Sequence, residues 1–295
     1  MKVDQQCFLC CAKKAMSLLE QYQVPQEKAV RLMKEIYGGF SRADEEVSAP
    51  ILMADMMGIL DANVGISDAY EGPKRQYNQE LLRRSHDIKG EIDGSKEPFM
   101  TGLRYALTGN YIDFGAMDTV SEEKLDELLG KCQEITVDEV EARRLKEDIA
   151  RAKRLVYVTD NAGEIVLDSL WLQIIKEQNQ QLDITVLVRG GAILNDAAEE
   201  DAAFVNLDKS FQVISNGTKI PGTSMVEISS QAREALLQAD VCIAKGQGNF
   251  ESLHGCGLNV YYLFLCKCDL FQRRFHAKAL QGMFLNERRI QMEMV

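Results

Sequence analysis

Leu155-Val156-Tyr157-Val158-Thr159-Asp160-Asn161-Ala162-Gly163-Glu164 is the stretch whose reading decides the fold. Its first four residues are apolar, β-branched or aromatic, and too few for a helix, so they read as a buried strand. The strand ends at Thr159 and Asp160, and a turn carrying Gly163 leads into residues 164–176. There Ile165, Leu167, Leu170, Leu172 and Ile174 fall at helix-compatible spacing. Two further runs repeat the arrangement. Residues 184–188 end at Arg189 and continue through Gly190, Gly191, Asn195 and Asp196. Residues 241–244 end at Lys245 and continue through Gly246-Gln247-Gly248-Asn249-Phe250-Glu251. Strands alternating with helices predict a parallel sheet covered by helices. Ligands of such sheets bind at the carboxyl ends of the strands, so three polar turns are expected to meet on one rim.

The residue types on that rim suit a cation and an anion together. Two carboxylates and an amide oxygen are hard donors, matched to Mg²⁺ or Mn²⁺ and poor for soft metals. Lys245 and Arg189 are placed to hold phosphate oxygens. The turn glycines let backbone N–H groups approach an anion without a Cβ in the way. Glu164, at a helix start, can orient a nucleophile or a water. Each turn taken alone is also ordinary cap and turn chemistry; three of them after three strands favour a site. Thr223 and Ser224 lie in a second loop that reads equally well as a phosphate lining or a plain turn.

Before residue 150 the spacing is helical. Residues 46–60 carry a stripe of Val47, Ile51, Leu52, Met56, Met57 and Leu60, and residues 26–37 another, which Gly38-Gly39 is expected to stop. A third helix is predicted to start at Ser121. Residues 134–153 are charge-rich and read as a solvated connecting helix. The resulting architecture is an all-helical domain over 1–148, an α/β domain over 149–280 and a tail over 281–295, helical or disordered.

Composition narrows the function. With 46% hydrophobic and 27% charged residues the chain has the make-up of a folded globular protein. A net charge of -11 argues against a nucleic-acid partner, which needs clustered Lys and Arg. No membrane-spanning run and no secretory segment is apparent, so a cytoplasmic location is expected and the eight cysteines are read as thiols or metal ligands. Cys7 and Cys10 form a C-x-x-C pair, either half of a metal or redox site or two small hydrophobes on a helix face. The three histidines are scattered, which leaves a histidine-based metal site unsupported.

Taken together, Asp160-Asn161-Ala162-Gly163-Glu164, Arg189-Gly190-Gly191 with Asn195-Asp196, and the 245–251 segment resemble three motifs of the damage-control phosphatases. Asp68-Ala69-Tyr70 with Lys74 and Asn78, and the segment 109–115, resemble further ones in the same order. The resemblance implies a helical domain packed on a Rossmann-like three-layer α/β/α domain. It assigns Asp160, Asn161 and Asp196 to a divalent metal, Mg²⁺, Mn²⁺, Co²⁺ or Ni²⁺, and Lys245 to the phosphate. Asn110 and Asp113 bring the helical part to the site, with Glu164, Arg189 and Asn195 beside the substrate. The implied activity is hydrolysis of small phosphomonoesters such as sugar phosphates or phosphopantetheine-type compounds; whether water or a carboxylate attacks stays open. The sequence departs from the family at Ala69, where Pro is expected, and after Cys268, where the closing strand is not recognisable. A carboxyl methyltransferase using S-adenosylmethionine and a non-catalytic binding protein are the rival readings. The first is weakened because Lys245-Gly246-Gln247-Gly248 lacks the third glycine of a dinucleotide loop. Oligomeric state is not legible.

Overall fold

The computed structural model describes residues 1–111 and 122–292. Seven helices come first among these residues: α1 (Gln5–Gln21), α2 (Gln26–Arg42), α3 (Ala49–Val64), α4 (Glu71–Gly94), α5 (Pro98–Gly109), α6 (Glu122–Gly130) and α7 (Glu139–Arg151). The alternating part then runs β1 (Arg154–Val158), α8 (Glu164–Gln178), β2 (Asp183–Val188), α9 (Glu199–Phe204), β3 (Gln212–Ser215) and α10 (Ser230–Gln238). It closes with β4 (Val241–Lys245), α11 (Gln247–Leu253), β5 (Val260–Leu265), α12 (Asp269–Phe275) and β6 (Gly282–Asn286).

The six strands form one sheet in the order β3-β2-β1-β4-β5-β6. The first five are parallel and β6 is antiparallel to β5. The chain therefore leaves β1 toward β2 on one side and later returns to β4 on the other. That reversal makes β1/β4 the switch point, where the loops diverge and open a crevice. Alternation along the strands feeds two apolar layers. Leu155, Tyr157, Val186 and Ile243 face a large core shared with α4, α5, α7 and α8. Val156, Val158, Leu187 and Cys242 face a second core with α10, α11 and α12. Helices α1, α2 and α3 close a third, smaller core that includes Ile193 from the loop after β2.

Two expectations are corrected. Helix α2 does not stop at Gly38 but continues to Arg42. Neither Gly38 nor Gly39 adopts a left-handed backbone, and Phe40 packs on the α1–α3 core, which rewards another helical turn. The described stretch 281–292 carries a strand where a helical or disordered tail was expected. Its Gly282–Asn286 is the edge strand β6, with Met283 in one core and Phe284 in the other. Arg289 then grips Glu141 on α7 through two contacts of 2.7 Å, closing the sheet edge against the helical part. Ser121, the expected start of α6, lies outside the described residues.

Candidate active site

The loops after β1, β2 and β4 meet at the switch point, and backbone contacts fix them to one another. Ala197 N donates to the Asp160 carbonyl at 2.8 Å, and Ala162 N to the Asn195 carbonyl at 2.9 Å. Gly246 packs its α-carbon on the Asp160 carboxylate: a Cβ there would lie 2.1 Å from Asp160 Cγ. Its φ of 80° also lies where side-chain-bearing residues are strained, so glycine is required twice over.

Asp160 Oδ2 accepts from Asn110 Nδ2 at 2.8 Å and from Asn161 Nδ2 at 2.9 Å. Asn161 Nδ2 also donates to Glu164 Oε2 at 3.0 Å. With its amide nitrogen so committed, the atom Asn161 can offer a cation is Oδ1. Asn110 reaches the same cluster from the end of α5, and its Oδ1 accepts from Leu265 N at 3.1 Å. Asp196 Oδ2 takes Arg189 Nε at 2.6 Å. Arg189 Nη1 donates to Thr223 Oγ1 and Asn249 Oδ1, both at 3.1 Å. Its Nη2 is buried with no hydrogen-bond partner among the described residues and stands 3.9 Å from Asp160 Oδ1. Asn195 Nδ2 is likewise buried and unpartnered. Asp113 lies outside the described residues.

Lys245 is placed differently from expectation. Its ammonium is 0% exposed and spends its three donors on Glu164 Oε1 at 2.5 Å, Asp168 Oδ1 at 2.7 Å and the Ala106 carbonyl at 2.8 Å. The sequence placed this ammonium against a phosphate; in the fold its three donors are taken by these groups. The cause is strand parity: Ala244 faces the α10–α12 core, so the next side chain turns into the opposite layer, between α5 and α8. Asp168, one helical turn after Glu164 on α8, and Tyr157, whose hydroxyl donates to Asp168 Oδ1 at 2.6 Å, complete this inner network. Sequence reasoning missed both. The i, i+4 spacing of Glu164 and Asp168 was the available signal, because it puts two acids on one helix face. Thr223 and Asn249 act as buried struts for Arg189, not as an open lining. Asn249 also donates to the Thr159 and Lys245 carbonyls at 2.9 and 2.6 Å, tying the β1 and β4 loops together.

Burial dominates the electrostatics. It pushes the Asp160 acid up to about 8, with Glu164 and Asp196 adding repulsion and Lys267 and Arg189 opposing it. Burial raises Asp196 too, against the pull of Arg189 and Lys74. Asp168 rises to about 7 through burial, moderated by Lys245. Burial works against the Lys245 ammonium, but Asp168 and Glu164 outweigh it and hold the group at about 12. Asp160, Glu164, Asp168 and Asp196 thus share the ion pairs of Arg189 and Lys245, and Lys267 and Lys74 add positive charge. With Asp201, which Lys74 also pairs, five acids face four cations, and the cluster keeps an excess of negative charge when all are ionised. Among the described residues no group of three or more His, Cys, Asp and Glu forms a metal site. Cys7 and Cys10 are free thiols, half-buried and exposed respectively; burial raises Cys7 to about 11 and lifts Cys10 as well. A cation at the strand ends would take Asp160, Asp196 and the Asn161 amide, with other ligands from outside the chain. Hard ions accept that pattern.

The fold and site define an α/β protein with an oxygen-rich, charge-imbalanced centre at the carboxyl edge of a parallel sheet. The damage-control phosphatase ARMT1-like domain matches residues 3–280, and the chain belongs to this family. It is 36% identical over 212 residues to a damage-control phosphatase of Archaeoglobus fulgidus, covering 70% of this chain and 71% of that one. A Pyrococcus horikoshii damage-control phosphatase is 31% identical over 278 residues, covering 92% and 94%. The crystal structure of a DUF89 family protein from P. horikoshii superposes with a TM-score of 0.84 at 27% identity, over 97% of this chain and 99% of that one. Family membership carries a phosphatase role on small phosphorylated compounds. No helix among the described residues is long and apolar enough to cross a membrane.

Proposed function

We propose that the chain is a divalent-metal-dependent phosphomonoesterase, its cation held by Asp160, Asn161 and Asp196. The observation that carries this reading is the charge imbalance of the buried cluster, which a dication at the Asp160–Asp196 end relieves. Such an ion, when bound, neutralises charge on a phosphoryl group and lowers the pKa of a water. Asp160 is poised by Asn110 and Asn161, which fix Oδ2 and leave Oδ1 toward Arg189. Arg189 is oriented by Asp196, Thr223 and Asn249, so its Nη2 is the donor aimed at a phosphoryl oxygen. Lys245 acts from behind, holding Glu164 in place against Asn161 and Asn110. The site thus pre-orients its donors before substrate arrives, which is where electrostatic catalysis gains most.

Inorganic phosphate release from a panel of phosphomonoesters tests this. Release is expected with added Mg²⁺, Mn²⁺, Co²⁺ or Ni²⁺ and is expected to stop with chelator. Full release in chelator, or none from any ester with metal bound, contradicts the reading.

A further inference from the structure

A cleft of about 380 Å³ opens between the start of α4 and the loop leading into α9. Its floor is a buried ion pair, Lys74 Nζ with Asp201 Oδ2 at 2.7 Å. Asp201 is already engaged by Asn78 Nδ2 at 2.8 Å and Ala198 N at 2.9 Å. Asn78 in turn accepts the Gly163 N–H at 2.6 Å, so the floor is tied to the start of α8. Lys74 is 5% exposed. Leu194, two residues before Asp196, and Asn78, bonded to Gly163, both line the cleft, so one end of it abuts the loops that carry the proposed cation site.

The rim has the opposite character. Asp68, Glu71 and Glu200 are exposed carboxylates lining the cleft, with Glu200 Oε1 4.0 Å from Lys74 Nζ, beyond hydrogen-bond range. Tyr70 and Phe204 add ring surface. The one other cation of the lining, Arg75, sits 5.4 Å over the Phe204 ring. Carboxylates only accept hydrogen bonds, so this rim serves hydroxyl or ammonium donors and repels a second anion.

We infer that this cleft receives the non-phosphate part of the substrate, with Glu71 and Glu200 selecting phosphomonoesters that carry hydroxyl or amine donors and no second anionic group. The inference rests on the phosphatase reading above. It deepens that reading by setting the charge of the substrate's far end.

Three six-carbon 6-phosphates test it, differing in their far-end charge: glucosamine 6-phosphate, glucose 6-phosphate and 6-phosphogluconate. With metal present, kcat/KM is expected to fall in that order, the last about fivefold below the second, as exposed charges permit. The Glu71→Gln/Glu200→Gln double variant changes two exposed side chains and keeps the fold. It is expected to close the gap to about twofold through a lower KM for 6-phosphogluconate. Where turnover of these compounds is slow, calorimetric binding of the same three reads the order. A flat order, or a gap the double variant leaves intact, overturns the inference and leaves the phosphatase reading standing. Failure of that reading shows itself separately, as no phosphate release from any ester with metal bound.

Discussion

The two helical layers of this protein lean on different things. Helices α4 and α5 share their core with α8 and the sheet: Leu81, Leu103 and Trp171 belong to the same cluster as Tyr157 and Val186. Helices α1–α3 close around Leu18, Leu32, Met56 and Leu60, and this separate core touches the strand-end loops through Ile193 and Leu194. Asn78 and Asn110, the helical side chains that reach the strand ends, both come from the α4–α5 layer. A helix can place a side chain to hydrogen-bond precision only when its packing is continuous with the element carrying the partner.

The largest test of that difference is a matched pair of substitutions, Leu103→Ala and Leu32→Ala, at sites 0% and 1% exposed. Each is expected to cost about 2–5 kcal/mol in denaturant unfolding. Leu103→Ala should also lower hydrogen-exchange protection in α8 and reduce phosphate release together with it. Leu32→Ala should leave α8 protection unchanged and phosphate release within about threefold. Identical losses of α8 protection in both would merge the two layers into one cooperative unit.

Next in size is Gly246→Ala. The new Cβ must displace the Asp160 carboxylate, and phosphate release is expected to fall by about 100-fold while the protein stays folded by circular dichroism. Activity within a few-fold of the unmutated protein would mean that the position of Asp160 is not critical.

A smaller effect follows from acidity. Asp160, Asp168 and Glu251 carry folded-state pKa values of about 8, 7 and 7, raised chiefly by burial, and Asp196 is raised as well. The folded protein keeps protons that the unfolded chain gives up near pH 4. The stability these groups contribute is therefore complete below about pH 4 and is lost as pH rises through 7 to 8. Acids lowered by partners, such as Glu141 and Glu287, act below this window. Metal-free protein should lose thermal stability between pH 5 and pH 8, and Mn²⁺ should restore most of it at pH 8. A melting temperature that climbs across that interval without metal would reverse the sign.

The smallest test concerns α2. Gly38→Ala adds a Cβ whose nearest neighbour is the flexible end of Arg42 at 3.4 Å, and at Gly39 the nearest atom is 4.0 Å away. Each is expected to stabilise the protein by about 0.4–1 kcal/mol in denaturant melts, as glycine removal from a regular helix does. Destabilisation would show that α2 breaks there, as the sequence had led one to expect.

How much was legible follows the range of the interactions. Strands β1, β2 and β4, α8 and the three polar turns are local patterns of period and punctuation, and they stand where the pattern put them. Edge strand β6 was not legible, because its apolar run is only Met283, Phe284 and Leu285, too short to set a period although the three pack on alternate cores. The fate of Lys245 was hidden for another reason. Its acceptors Ala106, Glu164 and Asp168 lie 139, 81 and 77 residues away in sequence, and only the folded layer order brings them together. Arg189 was legible as a cation at a strand end, whereas its struts come from later in the chain, Thr223 from a loop and Asn249 from α11.

The central claim is that Asp160 and Asp196 hold a divalent cation, and calorimetric titration of Mn²⁺ tests it most directly. Asp160→Asn and Asp196→Asn keep the side-chain shape and remove one charge each. The account predicts one site on the unmutated protein and at least about tenfold weaker binding in each variant. Unchanged affinity in either variant, or no Mn²⁺ uptake by the unmutated protein, would contradict it.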